Sequence, residues 1–152
     1  MNDSTPAMAG ATLTVHVDGG ARGNPGPAGW GAIVRDASGD VLAELFGALP
    51  HATNNVAEYN GLVAALDWCA EHQAKTVHIK SDSLLMVQQM RGVYKVKHDG
   101  LKPLHARARL IAHQIGQVTF EHVRREMNKD ADRLANLAMD EAEAADKAGT
   151  SN

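Results

Sequence analysis

The chain has 152 residues, 44% of them hydrophobic and 22% charged, which suits one domain with a single core and excludes a disordered or fibrous composition. Its apolar runs are too short to cross a membrane, and residues 1–10 have neither the cationic start nor the long apolar stretch of a secretory signal. The formal net charge of −3 argues against a uniformly basic nucleic-acid binder, yet residues 140–152 alone carry −3 while residues 91–109 carry +5, so a local basic segment remains available for phosphates.

Residues 12–18 alternate, with Leu13, Val15 and Val17 on one face and Thr14 and His16 on the other, which predicts a strand ending at Asp18. Residues 21–29 are dense in Gly and Pro and predict a turn. Residues 30–35 and 41–49 read as strands joined through Gly39. Val56, Tyr59, Leu62, Val63 and Leu66 recur at helical spacing over residues 53–72, with Thr53 or Asn54 able to cap the start. A short strand is predicted over 76–80, then a helix over 82–90. Lys102 and Pro103 open another helix, to about residue 114. A strand over 118–123 and a helix over 128–145 complete the order β-β-β-α-β-α-α-β-α. That order implies an α/β fold with a mixed sheet and helices on both faces. Residues 11–143 are expected to form the domain, with 1–10 and 144–152 as flexible tails. The single cysteine, Cys69, sits in an apolar helical pattern and reads as a core residue.

Four acids occupy special places. Taken alone, each has an ordinary reading: Asp18 as a turn-capping residue, Asp82 as a helix N-cap, Asp132 as an acid favoured by a helix dipole. Glu58 is less ordinary, since it lies within a helix next to an apolar stripe, where a carboxylate needs a partner. Together they gain meaning, because strand ends and the following helix starts converge on one edge of such a sheet. Four clustered carboxylates repel unless cations lie between them, and hard divalent ions, Mg²⁺ first, suit oxygen ligands. No His or Cys pair has zinc-like spacing. A carboxylate site holding two ions suits phosphodiester hydrolysis. The turn Gly19-Gly20-Ala21-Arg22-Gly23-Asn24-Pro25-Gly26 is not a P-loop, lacking Gly-Lys-Ser/Thr, and a strand rather than a helix follows it.

The stretch from Asp18 to Gly29 resembles the opening motif of type 1 ribonucleases H. Thr53-Asn54-Asn55-Val56-Ala57-Glu58, Ser81-Asp82-Ser83 and Asn128-Lys129-Asp130-Ala131-Asp132-Arg133-Leu134-Ala135 resemble that family's later motifs, in the same order. The resemblance implies a ribonuclease H-like five-stranded mixed sheet. It also implies a metal-dependent endonuclease that hydrolyses the RNA strand of RNA–DNA hybrids, leaving 3′-hydroxyl and 5′-phosphate ends, with two Mg²⁺ ions that Mn²⁺ can replace. Asp18 would bridge both ions, Glu58 and Asp82 would complete the leaving-group site, and Asp132 would help hold the ion that activates water. Asn24, Thr53, Asn54 and Ser83 would contact the substrate strands. Two departures stand out. The basic protrusion of some bacterial relatives is reduced to the short segment 91–98, so Lys95, Lys97 and Lys102 are expected to supply phosphate contacts. The loop before the last helix lacks the His of those relatives, and Glu126 is the candidate for its role in metal exchange. The expected setting is a cytoplasmic monomer with no obligatory protein partner. A hybrid-binding module without turnover and an integrase-like DNA nuclease are the competing readings; the four acids oppose the first and the Asn-rich motifs the second.

Overall fold

The computed structural model describes residues 10–150. The elements are β1 (Thr12–Ala21), β2 (Gly26–Arg35), β3 (Val41–Ala52), α1 (Asn54–Glu71), β4 (Thr76–Ser81), α2 (Leu84–Met90), α3 (Lys102–Ile115), β5 (Gln117–His122), a 3₁₀ turn (Arg125–Met127) and α4 (Lys129–Thr150). The five strands form one sheet in the order β3-β2-β1-β4-β5. The first three pair antiparallel, and β4 and β5 run parallel to β1. This is the mixed sheet that the element order implied, five-stranded as the family resemblance implied.

Placement of β1 at the centre follows from its alternation: Leu13, Val15 and Val17 are fully buried beneath α1, in one core with Val77, Ile79, Leu62, Leu66 and, from α3, Ile111. Cys69 lies in the same core, and burial pushes its thiol up to about 12. The opposite face of β1, β2 and β3 is covered by α4, through Ala131, Leu134, Ala135, Ala138 and Ala142. Helices therefore flank both faces.

Three boundaries differ from expectation. The Gly-rich stretch is not a long turn: Ala21 pairs with Ala28 across β1 and β2, so only residues 22–25 connect the strands. The glycines serve packing. A Cβ on Gly29 would lie 2.5 Å from the Ala138 Cβ, and one on Gly31 2.5 Å from the Leu134 Cβ, so α4 could not seat on β2. The last helix continues to Thr150 instead of fraying near residue 145. Ala142 stays buried against the sheet, and Arg22 pairs with Asp140 at 2.6 Å and Glu143 at 3.0 Å. Of the two expected tails, residues 144–150 are thus helical, and residues 1–9 and 151–152 lie outside the described residues. Finally, α2 begins at Leu84, not at Asp82.

Candidate active site

Strand register sets the first two acids side by side. Val17 of β1 pairs with Ser81 of β4, so Asp18 and Asp82 each come next on neighbouring parallel strands. Asp82 is not spent on capping. Ser83 is the N-cap of α2, its Oγ accepting from the Met86 amide at 3.2 Å, and Ser81 Oγ accepts from the Ser83 amide at 3.0 Å. Glu58 arrives from the start of α1, which Thr53 caps by accepting from the Val56 amide at 3.2 Å. Gly19 permits this approach, because a Cβ there would sit 2.5 Å from the Glu58 nitrogen. The Gly19 amide beside them works to lower both the Asp18 and the Glu58 pKa, a smaller effect than burial.

One ligand oxygen each from Asp18, Glu58 and Asp82 lies within 4.8 Å of the others. Asp18 and Glu58 are only 8% and 7% exposed. Asp132 stands outside this trio, itself exposed on the first turn of α4, yet it lines the same cleft of about 350 Å³. All four acids singled out from sequence therefore converge.

The electrostatics are those of a crowded, half-dry carboxylate site. Burial and then the Asp82 charge raise Asp18 to about 7. Burial and then the Asp18 charge hold the Glu58 carboxyl well above its ordinary range. Both effects disfavour the charged form. The Glu58 Oε2 is buried with no hydrogen-bond partner, an arrangement that costs free energy unless something cationic completes it. The donor set is all oxygen, which fits a hard divalent ion. Among the described residues Arg125 forms an ion pair with this cluster, its Nε lying 3.4 Å from Asp82 Oδ2; at 88% exposure it neutralises little.

The expected substrate residues divide. Asn24, Thr53, Lys95 and Lys97 line one surface depression of about 380 Å³, joined there by Asn55. Asn54 and Ser83 line the acidic cleft. Asn24 and Asn54 also lock the local backbone: Asn24 Oδ1 accepts from the Asn54 amide at 2.8 Å, and Asn54 Oδ1 accepts from the Ala21 amide at 2.7 Å. Lys102 instead lines an adjoining basic pocket with Arg91 and Arg109, and it pairs with Asp99 at 2.9 Å. Glu126 is exposed and does not line the cleft; Arg125 does. The reason is the 3₁₀ turn, in which successive side chains rotate by about a third of a turn, so neighbours point apart. Sequence reasoning missed Asn136, which also lines the cleft and whose Nδ2 donates to the Asp132 carbonyl at 2.9 Å. Its signal was its spacing of four from Asp132, on the same helix face.

Comparison with known proteins agrees with this geometry. Residues 16–138 match the family described as reverse transcriptase-like. Ribonuclease HI of Halobacterium salinarum is 35% identical over 88% of this chain and 67% of its own length. The chain belongs to the type 1 ribonuclease H family. The structure of the Halobacterium enzyme superposes with a TM-score of 0.82, over 86% of this chain and 98% of that one. A bifunctional protein of Mycobacterium tuberculosis is 49% identical over 86% of this chain, but the match covers only 36% of that protein. Its N-terminal RNase H domain, solved fused to maltose-binding protein, gives a TM-score of 0.86 at 47% identity, covering 89% of this chain and 98% of that one. LC11-RNase H1, solved in complex with an RNA/DNA hybrid, is 41% identical with a TM-score of 0.82, over 86% and 99% of the two chains. Among the described residues no helix is long and apolar enough to cross a membrane.

Proposed function

We propose that this chain is a ribonuclease H, a metal-dependent endonuclease that hydrolyses the RNA strand of RNA–DNA hybrids. The observation that carries the reading is the Asp18–Glu58–Asp82 cluster, mutually repelling, with Asp18 and Glu58 buried and the Glu58 Oε2 unpartnered. Asp18, Glu58 and Asp82 would hold one Mg²⁺, and Asp18 with Asp132 a second, Mn²⁺ substituting. Bound there, the ions would lower the pKa of an attacking water and stabilise charge on the leaving oxygen. The water oxygen joins phosphorus, the P–O3′ bond breaks, and the 3′ oxygen gains a proton, leaving 3′-hydroxyl and 5′-phosphate ends.

The chain's own residues do the positioning. Asn24 and Asn54 fix the junction of the β1–β2 turn with α1, which sets the polar edge along which the hybrid would lie. Their amides, Thr53 and the adjoining backbone would contact 2′-hydroxyls, the group that separates RNA from DNA at a given position. Lys95 and Lys97 would meet phosphates along the depression they share with Asn24. Lys102, held by Asp99, and Ser83, engaged as a cap, would contribute least. A cytoplasmic monomer needing no protein partner fits this reading, as the free hybrid would be its whole substrate.

The test uses the purified chain with labelled hybrid, double-stranded DNA and double-stranded RNA, with and without Mg²⁺. Cleavage of the RNA strand of the hybrid alone, stopped by chelator, is expected. Equal cleavage in excess chelator would falsify the metal mechanism, and cleavage of DNA duplex would overturn the substrate assignment.

A further inference from the structure

We infer that Asn128 is a positioning residue that braces Asp132 against Asp18. The inference rests on the hydrolytic reading above and concerns how its fourth acid is held. Asn128 lies between the 3₁₀ turn and α4 and is 1% exposed. Its Nδ2 donates to the Val17 carbonyl at 2.9 Å, a contact between residues 111 apart in sequence. Val17 immediately precedes Asp18 on β1. The main-chain carbonyl of Asn128 accepts from the Asp132 amide at 3.0 Å. One residue thus grips, by its side chain, the strand that carries one acid and, by its backbone, the amide of another.

Asp132 needs a brace as the other acids do not. Asp18 and Glu58 are fixed by burial, and the Asp82 side chain is 12% exposed between a strand end and a capped helix. Asp132 is itself exposed on the first turn of α4, and the 3₁₀ turn before it buries none of its residues. Ala131 and Leu134 seat α4 on β2, and the Asn128 bond ties the start of that helix to β1, the strand that carries Asp18, which sets the rotation of its first turn beside that acid. The side chain is not simply filler: its Oδ1 is buried without a partner, an expense an apolar residue of similar size would avoid. The donated hydrogen bond, with its fixed direction, is what Asn128 provides in return.

The test compares Asn128→Ala, Asp132→Asn and the double variant with the parent chain, in hybrid cleavage and in calorimetric titration with Mn²⁺ alone. Outer residues that orient a metal ligand are worth about 10- to 100-fold in affinity or activity. Asn128→Ala is expected to lower kcat by that factor at unchanged KM and to weaken Mn²⁺ binding. The double variant should be no slower than Asp132→Asn alone, because both changes remove the same function. Should Asn128→Ala fail to fold, Asn128→Leu replaces it with the same readouts. A variant that melts lower yet keeps the parent's kcat and Mn²⁺ affinity well below its Tm, or losses that multiply with those of Asp132→Asn, would overturn the brace. If the parent chain cleaves no hybrid, the proposed function fails, and the Mn²⁺ titration still decides the brace.

Discussion

Asp18 and Glu58 are 8% and 7% exposed and crowd a third carboxylate, whereas Lys95 and Lys97, also like charges in sequence proximity, stand in solvent on the loop between α2 and α3. Buried like charges raise one another's pKa and burden the fold until a cation arrives. Exposed ones keep their hydration, and salt screens them. The two regions should therefore answer to different variables: the cleft to pH and divalent ions, the loop to ionic strength. Rigid strand ends suit chemistry, which needs fixed atoms; a solvated loop suits affinity, which needs only charge.

The largest effect should follow from Asp82→Asn. It removes one anionic ligand at nearly constant shape, and a ligand itself should matter more than the residues behind it, so single-turnover cleavage should fall by more than about 100-fold. Stability should move the other way. Asp82 contributes to raising Asp18, and Ser83, not Asp82, caps α2, so the metal-free melting temperature should hold or rise. A collapse of metal-free Tm in Asp82→Asn would erase the contrast, making the cleft a structural ion-pair site.

Next is the pH dependence of stability. Asp18 is raised from 3.8 to about 7. Between those values the folded chain keeps a proton that the unfolded chain has lost, so metal-free stability must decrease as pH rises through this window. Asp18 alone would account for at most roughly 4 kcal/mol of that decrease. Above pH 7 the part due to Asp18 is complete, and Mg²⁺ should restore stability there by replacing protons at the carboxylates. Denaturant unfolding in chelator from pH 4 to 8 checks this. A flat or rising profile would mean that the carboxylates are not repelling in the folded state.

The same contrast explains what could be read from sequence. Strands announce themselves by alternation when one face is buried, as with Leu13, Val15 and Val17, and Glu58 by lying beside an apolar stripe; Asp18, Asp82 and Asp132, each ordinary alone, stand out only together. What escaped depends on contacts between distant segments. Gly29 and Gly31 look like turn residues until α4 is seen lying on them. The extent of α4 depends on Arg22, more than a hundred residues earlier. Asp82 and Ser83 compete for the same cap, and only geometry names the winner. Arg125 and Glu126 are adjacent, and a single 3₁₀ turn decides which of them reaches the cleft.

The loop supplies the third prediction. Lys95 and Lys97 line the depression with Asn24, while Lys102 is paired with Asp99 elsewhere. Each phosphate contact contributes about 0.9 to the slope of log K against log salt. Replacing Lys95 and Lys97 together with Ala should reduce the slope for hybrid binding by about two, leaving kcat and metal-free stability unchanged. Lys102→Ala should leave it intact. If the double variant keeps the parent slope, the loop does not touch phosphate, and affinity must come from the polar edge alone.

The smallest effect is expected of Glu126→Gln, and it tests how sharply the cleft ends. A carboxylate one residue from Arg125 could in principle compete for a metal during product release, as the loop residue of some relatives would. Here Glu126 is exposed and outside the cleft lining, so its charge acts on the acids only through water, where the interaction of two charges is about 1 kcal/mol at contact and is further screened by salt. Single-turnover cleavage, multiple turnover and Tm should all stay close to the parent's. Arg125→Gln supplies the contrast within the same turn: loss of the Asp82 pair should alter divalent-ion affinity in a direct titration while leaving Tm nearly unchanged, since a guanidinium that is 88% exposed stabilises its partner little. Slowed multiple turnover with intact single-turnover cleavage in Glu126→Gln would return that residue to metal exchange. It would also mean that the 3₁₀ turn rearranges during the cycle, so that the boundary between the rigid cleft and the solvated loop moves as the enzyme works.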